Sequence, residues 1–437
     1  MRASAHGCRP GKKDQRDRLS QHTSRQAAKG LLETSGGHKE MKQPRVAIVG
    51  AGPAGLTAAL TAHKLGLNVT VFEKTLDFGQ VGGGLVLHSN GLRVLEALDL
   101  LDLFKPLMRP CSTLAVELPS GKRLSTFDYR KLSIPHNYSA AIMRYHLQEY
   151  LLSAVEWAGV PVLTGHRCTD LSYENGTAWL RFANGCDHEC DLVIACDGIH
   201  SAVRDAVGLR SSRHPIGQAY LRGIAERRTD DDLIREIWGP DGRRFGICPL
   251  PGDQTYVFCS VPVGGWRKIQ KSQLEFWLES WQIFGPRVRD LMAVVDWSQA
   301  NYSEVAEVDL RRWWKLPVFV VGDAAHAMTP FIGQGANSAM VDALVLMRML
   351  APALHGGANL NRVGRAYQSL RRPFVRRLQT TSRRLGLVGA WSSAPARHTR
   401  DTLMQLASSV GTGRGTLLLG AGYNRREERY FCRDRQN

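Results

Sequence analysis

Residues Arg45–Lys74 read RVAIVGAGPAGLTAALTAHKLGLNVTVFEK, and this stretch decides the fold. RVAIV (Arg45–Val49) is a short apolar run of the kind that makes a buried strand. It runs into GAGPAG (Gly50–Gly55), a G-x-G-x-x-G turn. A helix is expected over Leu56–Leu65, closed by Gly66, and then a second strand over Val69–Phe72 that ends at Glu73. The unit has the length of a strand–helix–strand element of a dinucleotide-binding sheet. Each glycine has its own reason. Gly50 permits the tight turn, Gly52 lets the backbone approach a pyrophosphate, and Gly55 allows close helix–strand packing. The unpaired N–H groups of the helix N-terminus then face the phosphates. Glu73, 18 residues past Gly55, can bind the hydroxyls of an adenosine ribose. This unit alone does not separate FAD from NAD.

Two further strand ends carry a glycine and an acid. CDG (Cys196–Gly198) closes an apolar strand over Asp191–Cys196, and GDAAH (Gly322–His326) closes another over Pro317–Val321. The Asp323 carboxylate can accept bonds from ribityl hydroxyls. PFIGQGAN (Pro330–Asn337) leads into a helix over Asn337–Leu350. There Gly333 and Gly335 let main-chain N–H groups approach a ligand, and the helix dipole favours negative charge. Three such strand tips in one chain point to one phosphate-rich cofactor held by distant segments, and FAD is the expected one.

The remaining segments fill in the architecture. VGGGLVLHSNGLRVLEAL (Val81–Leu98) reads as a glycine-rich loop and a helix, and Ala140–Ala158 as an amphipathic helix carrying Arg144. Leu171–Cys196 reads as a β-meander, with hairpin turns at Asn175-Gly176 and Asn184-Gly185. Residues 215–305 read as a mixed insert, with strands within Glu236–Val261 and a helix over Gln273–Phe284. The expected fold class is α/β: a discontinuous Rossmann-like FAD-binding domain interleaved with a β-rich α+β substrate domain, and a C-terminal helix. The FAD-binding domain is expected from residues 41–125, 140–214 and 306–380, and the substrate domain from 126–139 and 215–305. Residues 1–40 lack a hydrophobic period and are expected to be a disordered basic extension, with Met41 as the natural start. Residues 381–437 form a basic C-terminal segment.

The net charge is +17, of which residues 1–40 hold +5 and residues 361–437 hold +12, so the body between them is neutral. A neutral body argues against a nucleic-acid-binding face. The Arg-rich end offers either a solvated helix face or a surface for peripheral contact with an anionic membrane or partner. No apolar run reaches the roughly 18 residues of a membrane span, and the first forty residues lack the apolar core of a secretory signal. A cytoplasmic protein with reduced thiols is expected. Cys186 and Cys190 flank Asp187, His188 and Glu189, but without a second spaced pair no metal site is expected.

Over about residues 44–380 the chain resembles the flavin-dependent aromatic hydroxylases, the class A FAD monooxygenases. GDAAHAMTPFIGQGAN (Gly322–Asn337) resembles their second FAD fingerprint. CDGIHSAVR (Cys196–Arg204) resembles their D-G motif, and EIWGPDGRRFGICPL (Glu236–Leu250) their substrate-sheet segment. The motifs stand in the family's order. The resemblance, joined to the residue reading above, implies cofactor contacts at Gly50, Gly52, Gly55, Glu73, Gly83, Arg144, Asp197, Asp323, Pro330, Gly333, Gly335, Ala336 and Asn337. It implies a catalytic place for Arg222 in AYLRGIA, a substrate-pocket wall at Phe245, and a structural rather than general-base His326. NADPH or NADH would reduce the flavin transiently near Asp197 and Arg204, for no second G-x-G-x-x-G unit is present. Reduced flavin would capture O2 as the C4a-hydroperoxide and hydroxylate or epoxidise an electron-rich aromatic, enolic or alkene small molecule. Two other readings stay open: a flavin-dependent reductase or dehydrogenase of a polyketide or polyprenyl substrate, and a non-catalytic flavin-binding protein at a membrane. Cys248 stands where some members carry an aromatic residue, so the substrate does not carry over, and the oligomeric state is left open.

Overall fold

The computed structural model describes residues 43–79, 83–229, 231–409 and 418–432. The basic extension, Met41 and the start of the glycine-rich loop at Val81 lie outside them.

The three motifs end on one six-stranded sheet. Its order is Trp314–Lys315, Val318–Val320, Leu192–Ala195, Arg45–Val49, Asn68–Phe72 and Val162–Leu163. All neighbours are parallel except at the Trp314–Lys315 edge. Val49 pairs with Phe72 on one side and Ala195 on the other, and Ala195 pairs with Val320. The tips before Gly50, Glu73, Cys196 and Val321 therefore end level, which brings segments far apart in sequence to one edge. Apart from Arg45 at its start, the central strands Arg45–Val49, Leu192–Ala195 and Val318–Val320 are buried, as expected of a parallel sheet covered on both faces.

The first helix is Pro53–Lys64, starting earlier than expected because Pro53 takes the first helical turn, where its missing N–H costs nothing. It packs against the long helix Gly335–His355. Of the described helices, only Gly335–His355 is long and apolar enough to cross a membrane, and 72% of its most apolar window is buried inside the protein. It is a core helix.

Two local expectations are corrected. Ser139–Met143 is a strand, not the start of a helix; it pairs with Gly84–Leu87 and Met108–Cys111, and the helix runs over Arg144–Trp157. SAAIM has one polar residue, Ser139, whose hydroxyl is spent on His88, and all five residues are buried between the two partner strands. The meander consists of Cys168–Glu174, Thr177–Phe182 and Asp187–Cys190, and its first turn places Asn175 and Gly176 at φ +53° and +86°. Leu192–Ala195 leaves the meander and enters the parallel sheet.

A seven-stranded sheet has the order Asn301–Leu310, Ser211–Ala225, Thr255–Val261, Arg244–Pro249, Leu233–Trp238, Thr113–Glu117 and Arg123–Asp128. Thr113–Glu117 runs parallel to Leu233–Trp238, and every other pair is antiparallel. The sheet thus takes in strands on both sides of the boundaries expected at 125, 214 and 306. Helices Trp266–Ser272, Leu274–Glu279 and Pro286–Ala293 cover one face over a core of Trp266, Trp277, Trp281 and Trp297. The other face, with Tyr256 and Cys248, packs against Ala141 and Met143. The helix Leu360–Gly389 braces the assembly: Gln379 donates to the Val308 carbonyl and Arg244 to the Gly386 carbonyl.

Candidate active site

A cavity of about 1090 Å³ opens at the level strand tips, with Gly50–Gly52, Glu73, Arg144, Gln148 and Asp197 in its wall. The three glycines act as their positions require. Gly50 has φ +103°, and a Cβ there would lie 2.4 Å from the Cys196 carbonyl oxygen. At Gly55 it would lie 1.8 Å from the Gly50 carbonyl oxygen, so neither position admits a side chain. At Gly52 no protein atom comes within 4 Å, which leaves the approach from the cavity clear.

Glu73 is 8% exposed. Its Oε2 accepts from the Ala51 N–H at 2.8 Å and its Oε1 from the Thr75 N–H at 2.9 Å. The carboxylate is fixed beside the glycine turn, and each oxygen keeps further acceptor capacity. Asp197 accepts from the Val203 N–H at 3.2 Å through Oδ2, while Oδ1 is buried without a hydrogen-bond partner of ordinary geometry among the described residues. Burial pushes this carboxyl up, against the pull of Ser201 and the Val203 N–H. A buried acceptor left over in this way fits a ligand donor.

Arg144, the first residue of its helix, links the two halves of the site. Its N–H donates to the Gly83 carbonyl at 3.1 Å, and its charge reaches both Asp323 and Tyr256. Asp323, the first residue of the turn after Gly322, is exposed to solvent although protein is dense around it. Burial pushes its carboxyl up, and His326 and Arg144 oppose that. Gly322 seats it beside the glycine helix, for a Cβ at Gly322 would lie 3.6 Å from the Ala54 Cβ.

Pro330–Ile332 form a short turn, Gly333 takes φ +63°, and the long helix starts at Gly335. The N–H groups of Gly335, Ala336 and Asn337 lie in its first turn and have no intrahelical acceptor. Pro330 and Gly333 are exposed, and Ala336 is half-buried. The Asn337 side chain is fully buried and spent within the protein. Its Nδ2 donates to the Val86 and Gly333 carbonyls at 2.9 and 2.8 Å, and its Oδ1 accepts from the His88 N–H at 3.0 Å. Only its main chain is left for a ligand.

The substrate-side expectations divide. Phe245 is fully buried and packs on Trp281, with ring centroids 5.7 Å apart, in the core under the helices. It is not a pocket wall, because the strand pleat sends it to the far face while Arg244, Gly246 and Cys248 take the near one. Arg222 is on the near face: its guanidinium bonds the Ser303 hydroxyl, and its charge acts on the nearby Tyr256 phenol. A Cβ at Gly83 would strike the Tyr256 ring at 2.7 Å and the Arg222 Cβ at 3.0 Å, so the smallness of Gly83 serves this contact between the sheets. Tyr220, Tyr256, Phe258 and Phe331 form a connected aromatic set, with Tyr220 and Phe331 at 5.7 Å. Arg204 is buried and bonds the Ala324 carbonyl at 2.9 Å and Asp205 at 2.9 Å. It ties the D-G loop to the Asp323 segment and is not free to bind an electron donor.

The sequence matches the model of the family described as "FAD binding domain" over residues 43–382. The chain belongs to that family. Within it the chain is an FAD-dependent monooxygenase of the aromatic hydroxylase type. It is similar to the aurachin C monooxygenase/isomerase of Stigmatella aurantiaca, 28% identical over 83% of this chain and 94% of that one. It is also similar to the 2-heptyl-3-hydroxy-4(1H)-quinolone synthase of Mycobacteroides abscessus, 30% identical over 82% of this chain and 92% of that one. Among solved structures, tetrameric 2-methyl-3-hydroxypyridine-5-carboxylic acid oxygenase is 26% identical, with a TM-score of 0.69 over 82% of this chain and 96% of that one.

Several residues that shape the site in this flavoprotein escape a sequence reading. His326 pairs with Asp342, and Asp342 accepts from Arg371 at 2.6 Å. Arg371 in turn bonds Glu427 at 2.5 Å. Burial works against the Asp342 carboxylate, but Arg371 and His326 hold it below its usual range. This fully buried chain makes His326 structural, as expected, and anchors the Asp323 turn from behind. Gln334, fully buried, donates to the Gly420 carbonyl at 2.9 Å and accepts from Asn90 at 2.9 Å, which holds the Gly333–Asn337 loop. His88 lies under the same loop, its Nε2 2.7 Å from where a Gly333 Cβ would sit. The only sequence signal for His88 is its place after the glycine-rich loop.

Proposed function

We propose that this chain hydroxylates or epoxidises a small electron-rich aromatic or enolic molecule, using FAD, O2 and electrons from NADPH or NADH. The observation that supports this reading is the cavity at the level strand tips, lined by Gly50–Gly52, Glu73, Arg144 and Asp197, with Asp323 and Tyr256 both within reach of the Arg144 charge. A relative named as the synthase of a heptyl-hydroxyquinolone and one named as the oxygenase of a hydroxypyridine carboxylic acid support an N-heteroaromatic ring as the substrate class.

The residues present fit FAD. The Gly50–Gly52 turn and the N-terminus of helix Pro53–Lys64 would hold the pyrophosphate, Glu73 the adenosine ribose, and Asp323 the ribityl chain. The free N–H groups of Gly335, Ala336 and Asn337 would face the negative charge of the reduced ring. Bound FAD supplies hydride acceptance and activation of O2. The protein's own part is to exclude water and orient the substrate. Tyr220, Tyr256, Phe258 and Phe331 supply an apolar wall, and Arg222 a fixed cation beside it. Burial pushes the Tyr256 phenol up to about 12, with Arg222 opposing, so at neutral pH it stays a hydrogen-bond donor. Cytoplasmic location and a transient donor without its own domain belong to the same proposal.

The test is NADPH and NADH oxidation by the FAD-loaded protein with a panel of hydroxyquinolines and hydroxypyridines, in air and without oxygen. Substrate-stimulated turnover that needs O2 and adds one oxygen atom from it to the substrate supports the reading. Steady turnover without O2, with the substrate reduced, replaces it with a reductase.

A further inference from the structure

We propose that a groove at the outer edge of the parallel sheet binds a phosphate group, at a site separate from that of FAD. The groove has a volume of about 540 Å³ and is lined by Arg312, Trp314, Arg365, Gln368, Ser369 and Arg372, with Pro373 at its end. None of these residues lines the larger cavity at the strand tips. Arg312 and Trp314 come from the edge strand and the turn before it. The others come from the helix Leu360–Gly389, where positions 365, 369 and 372 share one face.

The groove is built rather than incidental. Trp314 lies on Gly364, where a Cβ would come 2.3 Å from the indole, so the missing side chain seats the ring. The Arg312 guanidinium lies 4.4 Å over that indole. Arg372 is held by the Leu310 carbonyl at 3.1 Å and by Asp309 at 3.4 Å. The Gln368 Oε1 accepts from the Trp313 N–H at 2.8 Å, which leaves the amide NH2 as its free end.

The chemistry selects an anion. Three guanidiniums share one hollow. Asp309 is paired with Arg372, and neither Arg312 nor Arg365 pairs with a carboxylate among the described residues. Like charges gathered this way repel until an anion neutralises them. Guanidinium forks match phosphate oxygens bidentately, and a serine hydroxyl and an amide NH2 add donors. A phosphate ester in solution and a phospholipid headgroup both carry this group.

The test uses FAD-loaded full-length protein and the double variant Arg312→Ala/Arg365→Ala. Both side chains are exposed, so flavin absorbance and substrate-stimulated NAD(P)H oxidation are expected unchanged in the variant. Calorimetric titration with inorganic phosphate and with pyrophosphate reads the soluble arm. Cosedimentation with phosphatidylcholine vesicles, with and without phosphatidylglycerol, reads the lipid arm. Binding in either arm that weakens about tenfold or more in the variant supports the site and identifies the source. No binding in either arm, or binding that the variant retains in full, overturns it.

Discussion

Lowering the pH from 7 to 4.5 is expected to weaken this fold through one buried side chain, His88. Its ring is 2% exposed. Nδ1 lies 2.8 Å from the Ser139 hydroxyl and 3.2 Å from the Tyr129 hydroxyl, and Nε2 has no hydrogen-bond partner among the described residues. Burial lowers the imidazole to about 4, and the Ile332 carbonyl opposes this without reaching hydrogen-bond geometry. In the unfolded chain the ring titrates near 6.5. Between these values the unfolded chain holds the proton and the folded one does not. The stability is therefore complete above pH 6.5, falls with acid through the window, and levels off near pH 4. At about 1.4 kcal/mol per unit, the whole window is worth about 3 kcal/mol, and the part reached at pH 4.5 somewhat less.

Urea unfolding of the FAD-loaded wild type and His88→Gln at pH 7 and pH 4.5 measures this. The wild type is expected to lose about 2–3 kcal/mol more than the variant over that interval, since other titrating groups cancel in the difference. Because Nε2 lies against Gly333, flavin fluorescence is expected to show earlier FAD release in the wild type as the pH falls. Equal losses in the two proteins would mean that His88 is not held neutral by burial, and the reasoning fails.

The glycine turn gives a contrast within one motif. Gly55→Ala is expected to yield no folded flavoprotein, because its Cβ would overlap the Gly50 carbonyl oxygen at 1.8 Å. Gly52→Ala is expected to fold, with thermal midpoint unchanged but FAD affinity at least about tenfold lower, because the new methyl occupies the approach to the phosphates. Flavin absorbance after gel filtration and a fluorescence titration separate the two. Glu427→Gln leaves Arg371 with Asp342 as its one carboxylate partner among the described residues. It is expected to cost about 3 kcal/mol by urea unfolding, although Glu427 lies far from every cofactor motif in sequence.

What was legible in the sequence was what local pattern specifies. Each strand-to-glycine tip follows from a few consecutive residues, and the parallel register then sets the tips level without further instruction. The start of the helix expected over Ala140–Ala158 is a strand instead, because SAAIM is compatible with strand and helix alike and its two partner strands decide. Phe245 shows a different gap. The period of two places Arg244, Gly246 and Cys248 opposite Phe245, but it does not say which set faces the cofactor sheet. Gly246 held the clue: a Cβ there would lie 1.9 Å from Phe258, so the near face at that point is covered by a ring from the next strand. The pairing of Thr113–Glu117 with Leu233–Trp238 spans more than a hundred residues, and no local signal announces it.

The C-terminal arginines carry the last lesson, because a charge count treats them alike and the fold does not. Arg371 and Arg400 are each 1% exposed. Arg371 spends its charge on Asp342 and Glu427, and Arg400 on Asp401 and the Trp238 ring. Upstream, Arg93 lies 3.9 Å over Phe431 and pairs with Glu428, so the final segment is held from both sides. That segment also reaches the cofactor loops: Gly420 holds Gln334, and Glu427 stands behind the Asp323 turn through Arg371, Asp342 and His326. It is part of the frame of the active site, not a basic appendage. Deleting it would remove buried ion pairs together with surface charge, so truncation cannot tell a folding role from a binding role. Arg312 and Arg365, exposed and outside that frame, are where the two roles come apart.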